Sequence, residues 1–286
     1  MQRSTPQATA GSAERTPARA AAPAARAGGG ERANAPRAAD LRVAYVGQAV
    51  YFGQCALESP AGGLDPVFLD FRAGAPADRL LDDLRTLDPD VVLVFRPEIV
   101  PPGLFASLRA TTIGYLTEPL PRGRDGAHTD LRARLRWLEQ VDRSNFDRIV
   151  SFDPLIAETA SGVIDVWRAA PIPVADSLYM DVRARSTPPA LLFVGRWTAH
   201  RDSLLAPAAR GYPLMHIGHG LFGEPLRRVL AGADVQLNLH NNPYPTFENR
   251  VCIALAAGHL VISEPLSPSH GLVAGEHYLE AATPTE

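Results

Sequence analysis

The chain has 286 residues, 46% of them hydrophobic and 21% charged, with a formal net charge of −3. That length holds one large domain or two modest ones with real cores, and the balance is that of an ordinary globular protein. So small a net charge makes no electrostatic case for nucleic acid or an anionic membrane as partner, and no apolar run approaches the roughly 18 residues a membrane-spanning helix needs.

Residues 1 to 40 are Ala, Arg, Pro and Gly with almost no large apolar side chains. Such a segment cannot bury enough surface to offset its ordering entropy and is expected to be a disordered tail. It lacks the apolar core of a signal peptide and the hydrophobic face of a transit peptide, so a cytoplasmic protein is expected. Cys55 and Cys252 then read as reduced structural thiols rather than a disulfide or metal pair.

Order is expected from "LRVAYVGQ" onward, a buried strand running into Gly47 and Gln48. "DPVFLDFR" reads as a second strand, and "PADRLLDDLRTL" as a helix with Leu80, Leu84 and Leu87 on one face. "DVVLVFRPEIV" is a continuous apolar strand, "PPGLFASLRA" a short helix opened by prolines, and "TTIGYLTEP" another strand. "DLRARLRWLEQVD" is an amphipathic helix, and "DRIVSFDP" and "DVWRAAPIP" are strands flanking the helix "LIAETAS". Apolar strands alternating with amphipathic helices imply a mostly parallel α/β sheet.

"DVRARSTPPA" breaks that rhythm and sets a domain boundary near residue 186, giving domains over 41–185 and 186–286. The rhythm restarts at "ALLFVGRW", followed by a helix around "SLLAPAA", the strand "PLMHIG" and the helix "GEPLRRVLAGAD". "VQLNLH" alternates apolar and polar residues, the pattern of a half-buried strand. Two halves with one rhythm imply two Rossmann-like domains facing a cleft.

Ligands of open α/β sheets bind beyond the carboxyl ends of the strands. That rule selects Gly47, Gln48, Arg96, Glu118 and Asp153 in the first half. In the second it selects Gly195, Arg196, Gly218, His219, His240, Asn241 and Glu264. "FENRVCIALAAG" places Phe247, Val251, Ala254 and Leu255 on one helical stripe, with Glu248, Asn249 and Arg250 in the first turn, where free N–H groups favour an anion. Alternatively, Glu248 complements the helix dipole and pairs with Arg250. The chain has no glycine fingerprint for a dinucleotide, no lysine for a phosphate loop, no metal-ligand spacing and no serine nucleophile elbow.

The stretches "LLFVGRW", "HIGHGLFGEPLRRVLAGADVQLNLH" and "FENRVCIALAAGHLVISEPLSPSHGLVAGEHYLEA" occur in the order found in GT-B glycosyltransferases. The second half resembles the donor domain of the CgeB-like type within the glycosyl transferases group 1 set, over most of residues 190 to 282. The resemblance implies metal-independent transfer of a hexose or deoxyhexose from a nucleotide sugar to a small-molecule or envelope-glycan hydroxyl, with no cofactor. It puts Gly195 and Arg196 beside the donor diphosphate, with His219 and His240 in the donor cleft. Glu248, Asn249 and Arg250 fall at its nucleotide-sugar end, Glu264 lines it, and Gly47 and Gln48 form an acceptor-side loop. The acceptor base is Glu118 or, behind it, Asp153.

Two features depart from that family. Many relatives grip the nucleotide ribose with a glutamate where this chain has Ile253, and relatives continue beyond "EHYLEAATPTE" with closing helices. The resemblance therefore also allows a non-catalytic relative that binds a sugar nucleotide, glycan or protein. A second domain shortened at its C-terminus would be covered by a second copy or a partner. A sugar epimerase of the same fold is the third reading.

Overall fold

The computed structural model describes residues 40–122, 129–182 and 184–283, and the expected tail lies outside them apart from Asp40. In the first half, β1 (Leu41–Gly47) leads through α1 (Ala49–Phe52) to β2 (Leu64–Asp70), α2 (Ala77–Leu87) and β3 (Val91–Phe95). There follow β4 (Thr111–Leu116), α3 (Thr129–Leu138), β5 (Arg148–Ser151), α4 (Ile156–Thr159) and β6 (Arg168–Ala169). The second half runs β7 (Leu191–Val194), α5 (Ala199–Gly211), β8 (Leu214–Ile217), α6 (Gly223–Ala231), β9 (Val235–Asn238), α7 (Arg250–Ala256), β10 (Leu260–Ser263) and β11 (Leu279–Glu280). No described helix is long and apolar enough to cross a membrane.

The α/β expectation holds: the strands form two sheets, in the orders β2-β1-β3-β4-β5-β6 and β11-β10-β9-β7-β8. Every strand pairing within them is parallel. Renumbered from its first strand, the second sheet repeats the order 2-1-3-4-5 of the first. In that order the sheet switches direction between its first and third strands, and loops leaving those two strands diverge to open a crevice.

Period-two alternation gives the first sheet two apolar faces. Ala44, Val46, Val92 and Val94 meet Leu80 and Leu84 of α2 on one face. Leu84 and Val94 are fully buried, and each such side chain contributes about 1.5–3 kcal/mol by leaving water. On the other face Tyr45, Leu93 and Phe95 join Phe52, Tyr115 and Phe152. That cluster continues into the second half through Phe247, Val251, Ala254, Val261 and Tyr278. The two sheets therefore share a core, and the described residues belong to one compact unit.

The stretch from Ile172 to Met180 runs along both halves. Ile172 joins the shared core, while Leu178 and Met180 pack with Leu192, Leu226, Leu230 and Ile253. Its backbone bonds Gln54 through Ala175 and Ala256 through Met180.

Three local expectations are corrected. "PPGLFASLRA" forms turns rather than a helix: Gly103 takes a left-handed φ of 69°. Its amide and that of Phe105 bond the side chains of Asp142 and Asn145 instead of a helical ladder. The strand in "DVWRAAPIP" shrinks to Arg168–Ala169. β9 is buried along its whole length, its polar row included, because it lies centrally between β7 and β10.

Candidate functional site

A cleft of about 700 Å³ lies between the halves. Residues following the switch-point strands line it: Gln48 beyond β1, Arg96 beyond β3, Gly195 and Arg196 beyond β7, and Asn241 beyond β9. Strand order, rather than any motif, puts these five at one place.

The second-half wall is dominated by three guanidinium groups. Arg201, on the first turn of α5, is 3% exposed and donates from Nε to the carbonyls of Leu239 (3.1 Å) and His240 (3.0 Å) and from Nη1 to that of Arg196 (3.0 Å). Arg250 donates from Nη1 to Asn238 Oδ1 (3.0 Å) and the Leu239 carbonyl (3.2 Å). Arg196 is exposed and held by Asn241 Oδ1 at 3.0 Å. Burial, reinforced by Arg250 and by Arg196, lowers the Arg201 pKa to about 10. Glu248, 3.6 Å from Arg250, is the carboxylate lining this wall. Three guanidinium groups against one lining carboxylate give this wall an excess of positive charge, a field that favours an anion.

Gly195 is required by this packing. A Cβ there would lie 2.9 Å from the buried Phe193 ring and 3.3 Å from Arg201 Nη1. α7 spans seven residues and begins at Arg250, with Asn249 at its N-cap donating to Cys55 Sγ rather than capping the helix. Glu248 thus precedes the helix instead of sitting in its first turn. Anion chemistry on this wall belongs to the arginine side chains.

The first-half wall is charged, and its arginines are paired with carboxylates. Arg96 has a left-handed backbone (φ 64°), a conformation costing roughly 1–2 kcal/mol outside glycine. Its guanidinium is held by Glu98 (2.7 Å) and Glu118 (3.1 Å) and lies 5.5 Å from the Trp137 ring centroid. Burial opposes its charge, but Glu118 and Glu98 more than offset this and raise its pKa. Glu118 meets Arg134 through its other oxygen at 3.5 Å, and Arg134 meets Asp130 at 3.5 Å and the Pro119 carbonyl.

Of the residues selected from sequence, Gln48, Glu118, Gly195, Arg196, His219, Glu248, Asn249 and Arg250 line the cleft, His219 at an exposed position. Gly47, Asp153, His240 and Glu264 do not. Gly47 is packed against Phe95, where a Cβ would approach to 3.1 Å. Asp153 is 1% exposed and accepts from Arg122 at 2.6 Å. Glu264 is a buried strut, accepting from the His240 amide (2.6 Å) and paired with His200 (2.8 Å). Ile253 is buried in the apolar core of the second half and forms part of the cleft floor.

No protein-family model matches the chain, and no curated protein matches it. The site is therefore read from its own geometry. Among the described residues no group of three or more His, Cys, Asp or Glu side chains is placed to hold a metal ion.

Arg201 and Arg134 are the main site residues that strand-end reasoning misses. α5 starts at Ala199, four residues before the expected helix, and Thr198 caps it by accepting from the Arg201 amide. That N-cap threonine was the available signal. Arg134 reads as one of several surface arginines on α3, yet it is 9% exposed.

His240 carries a pH dependence. Its Nε2 donates to the Pro265 carbonyl (2.8 Å) and Thr246 Oγ1 donates to its Nδ1 (3.0 Å), an arrangement for the neutral ring. Burial lowers its pKa although Glu264, the Pro265 carbonyl and Glu248 pull the other way; Arg250 adds to the lowering. A depressed histidine stabilises the fold fully above its unfolded value of about 6.5, and that contribution is lost as pH falls toward the folded value. Urea midpoints should therefore drop between about pH 7.5 and 5, and drop less in His240→Gln. Equal drops in the two proteins would show that His240 is not responsible.

Proposed function

We propose that the protein is a glycosyltransferase of the GT-B type, moving a hexosyl or deoxyhexosyl group from a nucleotide-sugar donor to an acceptor hydroxyl. The observation that carries this reading is the Arg196–Arg201–Arg250 cluster at the switch point of the second sheet, facing a second switch point across the cleft. Three guanidinium groups held by carbonyl and amide oxygens present a fixed field to a diphosphate. They stabilise the charge that develops on it as the bond to the sugar breaks. The acceptor oxygen forms the new bond to the anomeric carbon, the nucleoside diphosphate departs with the old bonding pair, and the acceptor proton passes to a carboxylate. Glu118 is the proposed base, with Arg96 and Arg134 fixing its position.

A non-catalytic sugar-nucleotide binder is the second reading. It is favoured by Glu118, both of whose oxygens are already engaged by arginines, and by Ile253, which offers no carboxylate to a ribose.

Thermal melting of the chain with UDP, GDP, TDP and their sugars separates the readings. At 100 times its dissociation constant a ligand stabilises by about 2.7 kcal/mol, a shift of a few degrees. One nucleotide should shift the melt selectively, its sugar should be slowly hydrolysed, and Arg250→Ala should abolish both effects. Binding without turnover of any donor favours the second reading, and no shift with any nucleotide overturns both.

A further inference from the structure

We infer that the first-half wall of the cleft is a subsite for a neutral pyranoside, seated on Trp137 and Tyr51. This names the acceptor class for the transferase proposed above and rests on that reading.

The two walls differ in electrostatic kind. Opposite the arginine-rich wall, the first-half wall sets two cations, Arg96 and Arg134, against three carboxylates, Glu98, Glu118 and Asp130, in one chain of ion pairs at 2.7 to 3.5 Å. An anionic ligand entering there finds both guanidinium groups already paired and meets repulsion from the carboxylates that outnumber them. A hydroxyl both donates and accepts, so it can insert beside a carboxylate and a guanidinium together. Alternating donors and acceptors on a ring of hydroxyls match that chain; a phosphate or carboxylate does not.

Hydrogen-bonding capacity is also left unspent on this wall. Among the described residues of this wall, four buried side-chain polar atoms that belong to cleft residues have no hydrogen-bond partner. They are Gln54 Oε1, Thr117 Oγ1, Asp130 Oδ2 and Arg134 Nε, the last two being ion-paired to each other at 3.5 Å without a hydrogen bond. Thr117 is 7% exposed and lines the cleft, so its hydroxyl is a nearly buried polar group with no protein partner. Buried polar groups are rarely left so unless something other than the protein completes them.

The aromatic residues supply the remaining requirement. Trp137 and Tyr51 line the cleft yet stay 38% and 44% exposed. Arg96 lies over the Trp137 ring and fixes its orientation. The C–H face of a pyranose is weakly positive and apolar, and it packs on the negative face of an indole or phenol. An aromatic platform flanked by paired charges therefore suits a sugar ring better than a lipid chain or an anion.

The test uses methyl pyranosides of neutral hexoses as probes, with the matching methyl uronates, hexose phosphates and nucleoside diphosphates alongside. Binding to the full chain is followed by saturation-transfer NMR and calorimetry, for wild type, Trp137→Ala, Trp137→Phe and Tyr51→Ala. At least one neutral pyranoside should bind better than its uronate or phosphate. Its affinity should fall at least tenfold in Trp137→Ala and partly recover in Trp137→Phe, with the melting transition still cooperative. Preference for the charged sugars, or neutral-sugar binding indifferent to both Trp137→Ala and Tyr51→Ala, would overturn the inference. Nucleotide binding with no pyranoside binding overturns it too and leaves the transferase reading intact. Pyranoside binding without any nucleotide binding does the reverse, sinking the transferase while the sugar subsite stands.

Discussion

Replacing Arg122 with alanine is expected to destabilise the protein by about 3–5 kcal/mol, the cost of leaving a buried charge without its partner. Arg122 Nη2 donates to Asp153 Oδ2 at 2.6 Å and to Thr159 Oγ1 at 2.9 Å, both in the first half. Its Nη1 donates to the Ser267 carbonyl at 3.3 Å and its amide to the Pro245 carbonyl at 3.0 Å, both in the second. One residue thus clasps the two halves beside the shared core. Asp153, at 1% exposure, cannot recover its lost partner from water without local opening. Urea unfolding of Arg122→Ala measures the loss, and Arg122→Ala/Asp153→Asn should regain part of it because the uncompensated charge is gone. A loss below about 1 kcal/mol would mean that Asp153 is solvated after all.

The second large effect is expected at Arg201. Arg201→Ala strips the donors from three carbonyls, those of Leu239, His240 and Arg196, and should cost about 3 kcal/mol of stability. It also removes the innermost charge of the anion wall, so nucleoside diphosphate affinity should fall by roughly a hundredfold. Arg201→Lys separates the two roles. A lysine restores the charge, but a single ammonium cannot reproduce a planar fork reaching three carbonyls, so binding should recover more than stability does. Calorimetric titration and urea unfolding on the same preparations read both quantities. Full recovery of stability in the lysine variant would show that the fork geometry does not matter.

Much of this architecture can be read from local pattern. The apolar strands at Leu41–Gly47, Val91–Phe95 and Leu191–Val194 and the amphipathic helices between them announce a parallel α/β chain. Gly258 ends α7 with a left-handed φ of 73°, as its position after "IALAA" implies. Other assignments were not legible from spacing alone. "VQLNLH" alternates like a half-buried strand, yet Gln236, Asn238 and His240 are each at most 2% exposed because β9 lies between β7 and β10. Two of the three bond partners well along the chain: Asn238 donates to Ser263 Oγ and accepts from Arg250, and His240 donates to the Pro265 carbonyl. Asp153 and Glu264 sit at strand ends like Glu118, but they bind Arg122, His200 and the His240 amide instead of lining the cleft.

The sequence by itself determined most of the element types, the parallel character of the sheets and several cleft residues, among them Gln48, Glu118, Arg196 and Arg250. Those follow from periods of 2 and 3.6 residues and from the chemistry of strand ends, which are local properties. Only the tertiary structure decided the strand order 2-1-3-4-5 shared by both sheets, which places the two switch points on one cleft. It alone joined the halves through the core from Phe52 to Tyr278 and selected Arg201 and Arg134 among the arginines as buried members of the site. The physical reason is range. A guanidinium's role is set by the carbonyls and carboxylates packed around it, and for Arg201 two of those carbonyls, of Leu239 and His240, lie some forty residues away in the chain, brought close only by strand pairing.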